Sequence, residues 1–167
     1  MNIFKYCGCL ILLFSIFSVT ANTEIHQHKT KAIGKGTPIP KIELLIFRDP
    51  MDGVNIHVNI ENYALGAPDM VEAKQDLTAQ GILQGHAHVF VNAQKRRRLY
   101  GNDIHIPKEW LKAGVNQVAI SLNSHQHENW VSGDHNIVSS VFFDLSKEPI
   151  ILHKFTSQPL ERNHQHH

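Results

Sequence analysis

His86-Ala87-His88-Val89-Phe90-Val91-Asn92 is the stretch on which the fold turns. Ala87, Val89 and Val91 fall on one side of a period-2 pattern. His86, His88, Phe90 and Asn92 fall on the other, because successive side chains of a strand point to opposite faces. A turn around Ala93-Gln94 leads into Arg96–Tyr100, so the two segments read as a hairpin. Outward from it the same pattern recurs. Between Gly53 and Glu61, Val54, Ile56, Val58 and Ile60 oppose Asn55, His57 and Asn59. Ile42–Phe47 is a short apolar run, and Val115–Leu122 and Ile137–Leu145 are rich in Val, Ile and Phe. Clusters of Gly, Pro, Asn and Asp separate these runs.

About seven short strands across residues 41–146 predict an all-β fold, a single antiparallel immunoglobulin-like β-sandwich, with a small barrel as the alternative. The expected core includes Ile56, Val58, Ile60, Ala87, Val89, Val91, Val118, Ile120 and Leu122. Two segments break the pattern. Pro68–Gln80 has a composition suited to one or two helical turns, and Lys108–Lys112 to a single turn after Pro107.

The ends read differently. Met1–Lys5 is short and basic, Cys7–Val19 is almost wholly apolar, and Val19-Thr20-Ala21 suits cleavage after Ala21. That order predicts a secretory signal peptide over residues 1–21. Its apolar run is shorter than the roughly 20 residues of a membrane span. Cys7 and Cys9 would leave with it, so the mature chain would have neither disulfides nor thiolate chemistry. The expected location is periplasmic or secreted, with no membrane attachment after cleavage. Residues 22–40 read as a leader containing His26-Gln27-His28, and residues 147–167 as a tail ending in Asn163-His164-Gln165-His166-His167. The net charge of +1 gives no nucleic-acid surface.

Histidine is the compositional outlier, with 13 in the chain. His86 and His88 present two imidazoles on one strand face, about 6–7 Å apart along the strand. His57 lies on the polar face of another strand, His105 at a strand end, and His125-Gln126-His127 in a loop or at a sandwich edge. Three or four of these can converge on one ion. Nitrogen-only ligation suits Cu(II) or Zn(II), with affinity falling below about pH 6.5 as imidazoles protonate. The plainer alternative is a set of hydrogen-bonded histidines on a half-wet face. His135 reads as turn chemistry and His153 as incidental. The basic run Lys95–Arg98 reads as a solvated edge, and the terminal histidines as weak metal scavengers. Gly-x-Ser-x-Gly, His-Glu-x-x-His and a Gly-rich phosphate loop are all missing from the sequence, and no catalytic residue is named by it. Glu128 or Asp103 is a candidate general base should a metal lie nearby.

From Pro40 to Leu145 the chain resembles an uncharacterised family of secreted bacterial β-sandwich proteins. Four stretches carry the resemblance: Gly53-Val54-Asn55-Ile56-His57; Gly85-His86-Ala87-His88-Val89-Phe90-Val91-Asn92; Arg98-Leu99-Tyr100-Gly101 with His105; and Leu122-Asn123 with His127. The Gly-His-Ala-His strand is the most specific of them. The resemblance implies the sandwich fold and singles out His57, His86, His88, His105 and His127. The chain departs from the family pattern at Val54 and Asp103, where the family has aromatic residues, and at His125-Gln126, where it has Asn-Asp.

Three functions are consistent with these residues. The first is an exported, non-enzymatic carrier, buffer or sensor of copper or zinc, using His86 and His88 with some of His57, His105 and His127. The second is an immunoglobulin-like structural or interaction module, with a protein partner in the cell envelope. The third is a metal-dependent enzyme with an open coordination position.

Overall fold

The computed structural model describes residues 29–69 and 74–157. The segment read as a signal peptide (with both cysteines), His26, His28 and the histidines of the far end lie outside the described residues. In chain order the strands are β1 (Thr30–Ala32), β2 (Lys41–Arg48), β3 (Val54–Glu61), β4 (Tyr63–Leu65), β5 (Leu83–Val91) and β6 (Gln94–Leu99). They continue as β7 (Asp103–Ile106), β8 (Val115–Asn123), β9 (Asn129–Ser132), β10 (His135–Asn136), β11 (Val138–Asp144) and β12 (Ile151–Thr156).

Two sheets form. The smaller runs β2-β3-β7, antiparallel throughout. The larger has a central antiparallel ribbon β6-β5-β8-β11-β12. At one end it is extended by β4, parallel to the start of β5, and by β9, which carries β10 and a parallel β1. The inner faces follow the alternation of the sequence. Ile42, Leu44, Ile46, Val54, Ile56, Val58, Ile104 and Ile106 come from the smaller sheet. They meet Ala87, Val89, Val91, Val118, Ile120, Leu122, Val141 and Phe143 from the larger, all buried. Burying apolar side chains at about 25 cal/mol per Å² is the main favourable term in a domain without disulfides. Of the expected core, only Ile60, near the end of β3, is half-buried rather than buried.

The fold is wider than the predicted 41–146. β1 lies in the segment read as leader and β12 in the segment read as tail. β1 has only three residues, too few to show a period. β12 is an edge strand whose two faces are both largely exposed, so it has no apolar side to betray it. Of the stretch 68–80, residues 70–73 lie outside the described residues; Leu77 forms an isolated antiparallel bridge to Leu83. Lys108–Trp110 is the single helical turn expected after Pro107, of the 3-10 type.

The hairpin between β5 and β6 turns through Asn92 and Ala93, both left-handed, at φ 50° and 66°. That is the two-residue turn whose twist matches paired strands. Asn92 also accepts from the Gln117 backbone N–H and donates to Asn116, tying the turn to β8.

Candidate metal centre

The centre is built on the outer face of β5. Pairing with β6 and β8 makes β5 an interior strand, and its core-facing residues lock its register. His86 and His88 therefore both point away from the core, as their spacing dictates. Yet they are 2% and 0% exposed. What covers them is the β8–β9 connection, which folds back over the sheet.

That connection begins at Asn123, the cross-strand partner of His86. The Ser124 N–H donates to the Glu128 carbonyl at 2.9 Å, and the His127 N–H to the Ser124 carbonyl at 3.0 Å. Such a turn needs a left-handed residue to rejoin the strands, and His127 supplies it at φ 70°. A non-glycine residue there is uncommon, although histidine is among the more tolerant. The strained residue is the one whose ring lands on the pair. Its centroid lies 4.7 Å from that of His86 and 5.7 Å from that of His88. The His125 ring stacks on His86 at 6.3 Å, and Tyr100 flanks His86 at 5.8 Å.

Gly85 lets the strand sit this close. A Cβ there would run into the Asn123 carbonyl and the Tyr63 hydroxyl. The Tyr63 hydroxyl donates to the Asn123 carbonyl at 2.7 Å and lies 3.2 Å from the His86 carbonyl. Burial pushes its pKa well up, so it stays a donor. Asn123 in turn accepts from Ser121 at 3.0 Å and donates to Asn129 across the hairpin. Glu128 is held by Lys31 at 3.2 Å and by Ser124. The base of the turn is thus pinned on both sides.

His86, His88 and His127 offer nitrogens that all lie within 4.8 Å of one another, and the three could hold a metal ion. Metal–nitrogen distances of about 2.0–2.1 Å place tetrahedral ligands roughly 3.3 Å apart. The widest pair must therefore close by about 1.5 Å, a shift within reach of side-chain rotation. The Nε2 atoms of His86 and His88 are already 2.9 Å apart. Lys95, from β6, donates to His88 Nε2 at 3.1 Å. An ammonium has only donors, so His88 Nε2 is the acceptor and His86 Nε2–H the donor of the bond between the rings.

Burial first, then the nearby His127, Arg98, His125 and Lys95, push the pKa of His86 down to about 3. His86 is therefore neutral at any ordinary pH. The onset near pH 6.5 expected from free imidazole does not apply to this ring. Burial and the neighbouring Arg98 also lower the pKa of Lys95.

The other predicted histidines go elsewhere. His57 and His105 stand on the outer face of the smaller sheet, on β3 and β7. His57 Nδ1 pairs with Asp103 at 2.7 Å, and His105 Nδ1 with Asn55 at 2.9 Å. The structure does not bring them to His86 and His88. Period 2 explains why. Val54, Ile56 and Val58 face the larger sheet, so His57 must face away from it. Asp103 belongs to His57, and Glu128 to Lys31 and Ser124, so neither candidate base joins the histidine group. His135 lies on β10, and the His153 ring meets Phe142 at 6.2 Å. Lys95, read from sequence as a solvated edge residue, belongs to the site. Its pattern carries no signal of this, because a β-bulge between Val89 and Phe90 shifts the β5–β6 register there.

No family model matches the chain, and neither a curated protein nor a solved structure matches it.

Proposed function

We propose that this is an exported protein that binds one divalent transition metal, copper or zinc, through His86, His88 and His127, as a carrier, buffer or sensor. The observation that carries the reading is the convergence of three imidazoles from β5 and the β8–β9 turn, two of them buried. Burying polar rings without a task is costly, and neutral nitrogen donors suit Zn(II) and Cu(II). Export rests on the signal-like order of residues 1–21. An immunoglobulin-like identity is part of the proposal: β2-β3-β7 against β6-β5-β8-β11 is the strand order such a sandwich would have, with the other strands as additions. Kinship with the secreted family rests on the Gly-His-Ala-His strand.

Calorimetric titration with Zn(II) and Cu(II) tests the binding. The intact chain should show one tight step that is lost when His86 and His88 are both changed to Ala. Changing His164, His166 and His167 to Ala should remove only weaker steps. If the strand variant binds like the intact chain, the histidines form a hydrogen-bonded network instead, and the interaction-module reading takes over.

A further inference from the structure

The metal reading leaves a charge problem at the site. Three neutral imidazoles contribute no negative charge, and the group contains no carboxylate among the described residues. On the β6 side stand cations. Lys95 Nζ is 3.1 Å from His88 Nε2, and Arg98 is the cross-strand partner of His88. Directly paired residues project to the same side of a sheet, so Arg98 flanks the histidine face. A dication bound there would also take the lone pair to which Lys95 donates. The ammonium would lose its acceptor and face a double positive charge close by.

We propose, resting on the metal reading above, that the centre takes a small carboxylate as its further ligand. One oxygen would lie on the metal, and the anion would also accept from Lys95 and Arg98. Three protein ligands leave a tetrahedral ion one open position. Charge-assisted bonds from ammonium and guanidinium to a carboxylate are the strong, short kind. The anion would give Lys95 a new acceptor and offset the charge of the ion. Lys95 and Arg98 are exposed and Tyr100 is 40% exposed, so a small anion can reach this side of the buried rings.

The test uses the full chain loaded with one equivalent of Co(II), whose visible bands report its ligands, with formate as the probe. His86→Ala first checks where the cobalt sits. If that change leaves the bands as they were, the metal reading fails and the carboxylate site falls with it. If the bands are lost, formate is titrated at constant ionic strength. Saturable band shifts are expected in the intact chain, with formate affinity falling at least tenfold in Lys95→Gln. The same variant should bind Co(II) more tightly, because a competing cation has gone. Bands that formate does not move overturn the proposal while the metal reading stands. So does a Lys95→Gln protein with undiminished formate affinity. Weaker Co(II) binding in Lys95→Gln also overturns it, since Lys95 would then be a metal ligand. Circular dichroism of each variant checks folding; Lys95 is exposed, and its change leaves the core untouched.

Discussion

His127→Gly separates a metal ligand from a packing residue, because backbone and ring make opposite contributions to stability. A non-glycine residue in the left-handed region costs about 1–2 kcal/mol, which glycine removes. Against that stand the lost burial of a half-exposed ring, about 1–2 kcal/mol, and the greater freedom of glycine in the unfolded chain, about 0.5–1 kcal/mol. The metal-free variant should therefore lie between about 0.5 kcal/mol more stable and about 2 kcal/mol less stable than the parent. His127→Ala loses the ring but keeps the strain, and should be the less stable of the two. With metal the outcome differs. At about 100 times the parent Kd, binding stabilises by about 2.7 kcal/mol. Losing a ligand weakens binding by at least about 100-fold, leaving roughly 0.4 kcal/mol. At about 4 °C per kcal/mol for a domain of this size, the parent should gain about 11 °C in Tm with Zn(II), and His127→Gly about 2 °C. Differential scanning calorimetry with and without metal reads both numbers. A full metal-dependent gain in His127→Gly would remove His127 from the ligand set. A metal-free loss above about 3 kcal/mol would make the ring a packing element, contrary to the reasoning from strain.

Gly85→Ala should destabilise by about 2–4 kcal/mol, because the added methyl meets the Asn123 carbonyl and the Tyr63 hydroxyl and breaks the bond between them; a urea midpoint equal to the parent's would show that the close approach is not needed. His86 has a folded pKa of about 3 against about 6.5 unfolded, so between those values the unfolded chain binds more protons. Its contribution to stability is present above about pH 6.5 and is lost as pH falls toward 3. Urea unfolding at pH 7 and pH 4.5 should show a smaller acid loss in metal-free His86→Gln than in the parent; equal losses would mean that His86 is not held neutral.

Where one residue type repeats at a fixed period, the sequence was informative. Val54, Ile56 and Val58 and Ala87, Val89 and Val91 put two strands in the core and His86 and His88 together on one face. The same period should have excluded His57, whose neighbours on both sides face inward. What period 2 cannot reveal is whether an outer face is covered. Polar residues on it read as solvated, and the burial of His86 and His88 comes from a turn that only the β5–β8 pairing brings near. Lys95 was hidden for a related reason, since a bulge breaks the alternation where it lies. β1 and β12 were hidden because short and edge strands need no apolar face.

Choosing among the histidines of the β8–β9 turn depends on register and handedness together. His86 pairs with Asn123, so the turn starts level with the first ligand and doubles back over the second. The residue that closes the turn, left-handed His127, brings its ring up to both His86 and His88, while the His125 ring stacks on His86. Asn92 and Ala93 show that the chain also places left-handed residues where no ligand is at stake, so strain alone marks nothing. The combination is more telling: a strained residue whose ring joins two buried rings on a strand kept close by a glycine. It divides the centre into two parts. His86 and His88 are fixed by a strand paired on both sides. His127 sits on a turn held at its base by Ser124, Asn129 and Glu128, whose bonds need not break for the ring to move. A metal would then find two ligands already in place and draw in the third, so that the ordering cost of binding falls on one short turn.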